Sequence, residues 1–279
     1  MGVFQRMVRV LQAPRRVEEG RVGKIHGKVY NCYEIRKQYE YTKMTYTIIH
    51  LGGSIVVPHI SDEGGMNIHF LQRFREFVRK ELTKGRRFVI VIGGGKTARA
   101  YQKAATLLVD IKKEDLDWLG IHAIRINAHL LRTVFYKEAY PWVVDHDPSA
   151  PEVHTLKRAK QNLFIASGWT PGWSTDYIAV RLAQKFGAKE VIIAKDTPFV
   201  YDSDPKKNSK AKPIKKISWK AYKKLIPSKW IPGLSSPVDP VATRLAEKLG
   251  ITAKILAGKD LLNFQKAIEG KPFEGTIIQ

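Results

Sequence analysis

Phe88-Val89-Ile90-Val91-Ile92-Gly93-Gly94-Gly95-Lys96-Thr97-Ala98-Arg99-Ala100 is the stretch that decides the fold. Five consecutive apolar residues, four of them β-branched, read as a strand buried on both faces, as in a parallel sheet covered by helices. Three glycines end the strand and a helical stretch follows at once. A strand that turns through glycine into a helix is the repeating half of a βαβ unit.

The same grammar extends in both directions. Tyr46–Leu51 (YTIIHL) is a second apolar strand, and it too ends in glycine, at Gly52-Gly53-Ser54. Between the two strands, Ile68, Leu71, Phe74, Phe77, Val78 and Leu82 recur at helical spacing as far as about Lys84, with Gly85 as the stop. Downstream, Asp115–Tyr136, Ser174–Phe186 and Pro240–Leu249 read as helices, and Trp142–Val144, Asn162–Ala166, Glu190–Ala194, Thr252–Leu256 and Gly275–Ile278 as strands. Alternating strands and helices predict an α/β chain with a mainly parallel central sheet covered on both faces. In such sheets ligands gather at the C-terminal ends of the strands.

Composition excludes several classes of function. The chain has 279 residues, 44% of them hydrophobic, and a formal net charge of +22. That is a globular composition rather than a disordered basic tail. No run of 18 apolar residues provides a membrane span. One cysteine, Cys32, excludes a disulfide framework and a multi-cysteine zinc site within one chain. The charge is uneven. Residues 1–43 hold ten Lys/Arg against four Asp/Glu, with little hydrophobic periodicity, and are expected to form a poorly ordered basic extension ahead of a body spanning 44–279. Nucleic acid, if bound at all, is expected on this arm alone. A second dense patch, Lys195 to Lys229, has eleven lysines and three aspartates and reads as an exposed, turn-rich segment.

The glycine clusters carry the first chemical signal. Glycine at a strand end lets backbone N–H groups approach an anion closely, and the helix that follows adds its positive end. One cluster is ordinarily a tight turn; two at equivalent strand ends point to phosphate binding. Gly94-Gly95-Lys96-Thr97 is not a P-loop, because Ile90 stands where that motif needs its first glycine. Lys96 and Arg99, three apart on the first helical turn, can both face an anion held by the loop, or be a solvated pair of charges.

Two more loops leave strand ends. Ser167-Gly168-Trp169-Thr170-Pro171-Gly172-Trp173-Ser174-Thr175-Asp176 precedes a helix that Ser174 or Thr175 could cap. Its two tryptophans could stack on a flat base or close the edge of the core. Lys195-Asp196 through Tyr201-Asp202-Ser203-Asp204-Pro205 could flank a nucleotide or be a polar hairpin.

Taken in order, GGS, GGGKTARAY, DWLGIHAIRINAHLL, TPGWSTDYIAVRLA, VYDSDPKK, PVDPVA and a closing GTII resemble the archaeal-type UMP kinases of the amino acid kinase superfamily, over residues 46–279. The resemblance implies a three-layer α/β/α sandwich that transfers the γ-phosphate of ATP, with Mg²⁺, to UMP. It places Gly53, Ser54, Gly95, Arg99, Lys195, Tyr201 and Asp204 on the ATP side. Gly94, Asp117, Trp169, Thr170, Pro171, Gly172, Trp173, Ser174 and Thr175 fall on the UMP side, with Asp117 on the ribose. Lys96, Arg99 and Lys195 are then the catalytic cations, no protein side chain is assigned to the metal, and a cytoplasmic homohexamer is expected. The chain departs from the family at His50, where lysine is common, at Trp169 and Trp173, at Lys195, and at Asp196-Thr197-Pro198-Phe199. These departures leave two alternatives: a superfamily enzyme with another small acceptor, and a non-catalytic binder of nucleotides, oxoanions or RNA.

Overall fold

The computed structural model describes residues 22–25, 28–31, 46–59, 65–147, 161–205, 207–229 and 236–279. The chain divides into two units, Met1–Thr45 and Tyr46–Gln279. In the first, β1 (Val22–Ile25) and β2 (Lys28–Asn31) form an antiparallel hairpin with Val22 opposite Asn31, where the sequence suggested no element. The expectation of poor order for the rest of 1–43 lies outside the described residues.

The second unit is built on a seven-stranded sheet. Its strands are β3 (Thr47–Leu51), β4 (Phe88–Ile92), β5 (Leu163–Ala166), β6 (Glu190–Lys195), β9 (Lys216–Ile217), β10 (Thr252–Ala257) and β11 (Thr276–Ile278), in the spatial order β5-β4-β3-β6-β10-β11-β9. The first five in that order are parallel, and β11 turns antiparallel to β10. A short hairpin of β7 (Val200–Tyr201) and β8 (Pro213–Ile214) stands outside the sheet.

Strict alternation along the buried strands splits the core in two. Ile48, Val89, Val91, Val191 and Ile193 face one layer, with α5 (Thr175–Phe186), α6 (Trp219–Tyr222) and α7 (Pro240–Leu249) contributing Ile178, Tyr222 and Ala246. Ile49, Leu51, Phe88, Ile90 and Ile92 face the other, against Phe74 of α2 (Ile68–Thr83), Leu131 of α4 (Lys113–Val134) and Phe264 of α8 (Leu261–Ile268). This is the expected three-layer α/β/α arrangement. Two further helices complete it: α1 (Gly53–Val56) and α3 (Gly95–Leu108).

Local chemistry sets the helix ends. The side chains of Asn67, Ser174 and Asp239 accept N–H groups at the starts of α2, α5 and α7, and Gly187 and Gly250 close α5 and α7 in the left-handed region. The expected strand at Trp142–Val144 is absent: Val144 makes only an isolated bridge to Ala166, and Trp142 is 72% exposed. Three residues beside the short edge strand β5 cannot sustain a ladder.

The strand order reverses direction at β3. The chain runs outward through β4 and β5, then returns to place β6 on the other side of β3. Register puts Leu51 beside both Ile92 and Ala194, so Gly52, Gly93 and Lys195, the last residue of β6, lie at one level. A crevice at such a switch point is where open α/β sheets bind ligands.

Candidate active site

A cleft of about 720 Å³ opens at this switch point. The two glycine loops form its floor and are packed backbone against backbone. A Cβ on Gly53 would lie 2.1 Å from Gly95 N, and one on Gly93 would lie 2.7 Å from Gly53 N. The Gly93 N–H donates to Leu51 O at 3.0 Å, and Lys96 N–H to Val57 O at 3.2 Å. Asn127, buried on α4, donates Nδ2–H to Gly93 O and Gly94 O at 3.0 and 3.1 Å. Glycine is therefore required here for the loops to touch, as well as for any anion to approach them.

The structure separates the two cations that the sequence put together. Arg99 lines the cleft, whereas Lys96 is exposed and is not among the lining residues. Arg125 is held by the fold, donating to Gly168 O at 3.4 Å and Asp145 O at 3.2 Å.

A buried polar chain crosses the middle of the cleft. Asp176, 6% exposed near the start of α5, receives Lys195 Nζ at 3.0 Å, and His50 Nδ1 lies 2.9 Å from its Oδ1. His50 Nε2 meets Thr175 Oγ1 at 2.9 Å. Asp239 donates its backbone N–H to Asp176 at 3.3 Å, and its carboxylate accepts the Ser174 hydroxyl.

These environments push the carboxyl groups apart. For Asp176, burial works upward but Lys195 and His50 outweigh it, and the group is held far below the usual carboxylate range. For Asp239, burial and the neighbouring Asp176 charge both act upward, and the group is raised. Burial also lowers His50, aided by Lys195 and opposed by Asp176. His50 is thus a neutral ring bonded within the protein rather than a cation offered to phosphate. Sequence reasoning missed the roles of His50, Asp176 and Asp239. The two aspartates sat inside recognised motifs, but only the fold brings Ser174-Thr175-Asp176 and Pro237-Val238-Asp239 together.

The loop after β5 divides in two. Trp169 is 4% exposed and donates Nε1–H to Val144 O at 3.1 Å, so it closes the core and does not line the cleft. Pro171 and Gly172 also lie off the lining, whereas Thr170, Trp173, Ser174 and Thr175 are on it. Gly172, at φ +85°, donates its N–H to Asp117 Oδ2 at 2.8 Å and ties the loop to α4. Asp117 keeps its other oxygen, lines the cleft, and is raised by partial burial. Gly53, Ser54, Gly94, Gly95, Lys195, Tyr201 and Asp204 all line the cleft, as does Phe199, joined by Gln102 and Ile226, which the sequence did not single out.

Comparison with known proteins bears on the family and the fold. The model of the amino acid kinase family matches residues 45–257. A uridylate kinase of Pyrococcus abyssi is 32% identical over 233 residues, 83% of this chain and 98% of that protein. One from Thermococcus sibiricus is 33% identical over 236 residues, with the same coverage. The crystal structure of uridylate kinase from Archaeoglobus fulgidus superposes with a TM-score of 0.68 at 26% identity, over 84% of this chain and 100% of that one. A UMP kinase structure from Ureaplasma parvum, at 20% identity and a TM-score of 0.68, shares the fold.

Proposed function

Because the chain belongs to the amino acid kinase family, we propose that it is an ATP-dependent phosphotransferase that makes UDP from UMP. The observation that carries this reading is the switch-point cleft, where two interlocked glycine loops, Arg99 and Lys195 converge. An oxygen of the UMP phosphate forms the new bond to Pγ as the bond from Pγ to the bridging oxygen breaks, and ADP leaves with the electron pair. The attacking oxygen is already ionised, so no strong general base is needed. The work is positioning and charge neutralisation.

Each residue has a place in that scheme. Backbone N–H groups of Gly53 and Gly95 and the hydroxyl of Ser54 face the triphosphate, beside Tyr201 and Asp204. Arg99 has no hydrogen bond or ion pair among the described residues, so its planar fork is open to two phosphate oxygens. Lys195 has three N–H donors; Asp176 holds the ammonium in place and leaves donors for the transferring group. Gly94, Thr170, Trp173, Ser174 and Thr175 form the UMP side, with the free oxygen of Asp117 toward the ribose. Trp169, Pro171 and Gly172 support that side from behind. Among the described residues no group of three His, Cys, Asp or Glu side chains is arranged to hold a metal. Magnesium would enter on the triphosphate with water as its other ligands, supplying charge neutralisation.

The proposal extends to a catalytic body of residues 44–279, a homohexamer and a cytoplasmic setting. Leu107, Leu108 and Ile126, 60–82% exposed on α3 and α4, support association. Among the described residues no helix is long and apolar enough to cross a membrane.

The test is an acceptor panel. Purified chain with MgATP is given UMP, CMP and small carboxylic acids in turn, and products are separated by ion exchange. UDP as the main product is expected. Phosphorylation of another acceptor in its place would move the enzyme elsewhere in the superfamily, and no product at all would leave the binder. The same panel on residues 44–279 shows whether the body suffices.

A further inference from the structure

Residues 207–229 contain nine lysines and no acidic residue, and every one of those lysines is exposed. They run from the turn after β7, through β8 and the edge strand β9, to α6 and the turn beyond it. In α6 and the turn beyond it, Trp219 and Tyr222 are buried at 4% and 0% exposure, whereas Lys220, Lys223 and Lys224 are exposed. The adjacent α7 adds exposed Arg244 and Lys248, and Arg244 donates to Ser228 O at 3.1 Å. Among the described residues the only ion pair made by the nine is Lys223 with Glu247, at 2.6 Å.

A cluster of this kind repels itself and is a cost to the folded state unless an anion meets it. Lysine on an edge strand deters strand pairing, which accounts for Lys215 and Lys216 at β9 but not for the other seven. The segment offers no aromatic platform, because its described tryptophan and tyrosine are both buried. Single-strand binders depend on such platforms; a lysine surface without them reads phosphates and not bases.

We propose that the β8–β9–α6 surface binds the phosphate backbone of duplex nucleic acid, without sequence preference. This goes beyond the kinase reading and does not rest on it. It also moves the nucleic-acid contact from the N-terminal arm, where the sequence suggested it, to a face of the folded body.

The experiment is fluorescence anisotropy of the full-length chain with labelled duplex RNA and duplex DNA across potassium chloride concentrations. The patch variant is Lys215→Glu/Lys216→Glu/Lys220→Glu/Lys224→Glu. Its control is Lys80→Glu/Lys103→Glu/Lys113→Glu/Lys266→Glu, which carries the same formal charge but alters α2, α3, α4 and α8 in place of the patch. The parent chain is expected to bind duplex at least as well as single strands. The patch variant should lose at least tenfold more affinity than the control, and its plot of log K against log salt should flatten by about 3 to 4, one phosphate contact per lysine. The proposal is overturned by equal losses in the two variants, or by no duplex binding in about 50 mM salt. It is also overturned if the patch captures phosphatidylserine vesicles and not duplex. If circular dichroism shows that the Glu set misfolds, the matching Gln set reads the same slope.

Discussion

His50 sits at 2% exposure between a carboxylate and a hydroxyl, and burial holds its pKa below the ordinary histidine value. The unfolded chain therefore takes up a proton, below about pH 6.5, that the folded chain refuses, and stability falls as pH falls through that range. The low pKa of Asp176 acts in a more acidic window, and the raised Asp239 is common to any His50 variant. We expect the melting temperature of the parent to drop more between pH 7 and pH 5.5 than that of His50→Asn, whose amide can still meet Thr175 and Asp176. Parallel curves would show that His50 titrates freely. At this scale the sequence was read well where a residue type has one use: glycines at strand ends, Ser174 as a cap. It was read poorly where direction decides. Nothing in the local text separates Lys96 from Arg99, or Trp169 from Trp173; the side of the helix or loop that meets the core does.

At the scale of elements, the paired glycine loops are the joint on which the cleft depends. A methyl group on Gly93 meets the backbone of Gly53, with no flexible side chain to yield. Gly93→Ala is expected to cost about 1–3 kcal/mol in urea unfolding, as an overpacked core site does, and to remove most activity by parting the loops. Gly187→Ala is the contrast. It faces open space at φ +72° and should cost about 1 kcal/mol with activity retained. Equal effects on activity would refute the joint. The long periodic elements, such as α2 and α5, were legible because burial repeats at helical spacing over three or more turns. Trp142–Val144, the β7–β8 hairpin and α8 were not, because one bridge, a two-residue pairing and an eight-residue helix carry too little pattern.

For the whole molecule, alternation of buried strands with helices was enough to give the three-layer sheet, but not its strand order. That β6 returns beside β3 is a long-range fact, and it alone creates the buried chain from His50 through Asp176 to Lys195. The +22 charge has an analogous history: composition suggested any polyanion, while the fold sets Arg99 and Lys195 on the cleft and the lysines of 207–229 on an exposed surface. The central claim is that this cleft moves a phosphoryl group from ATP to UMP, with Arg99 gripping the phosphates. The most direct measurement is the initial rate of UDP formation from UMP and MgATP, with the parent chain and Arg99→Ala side by side. The account predicts steady UDP formation by the parent and a loss of about 100-fold or more in kcat/KM for Arg99→Ala. No UDP above background from the parent, or an unchanged rate in the variant, would contradict it.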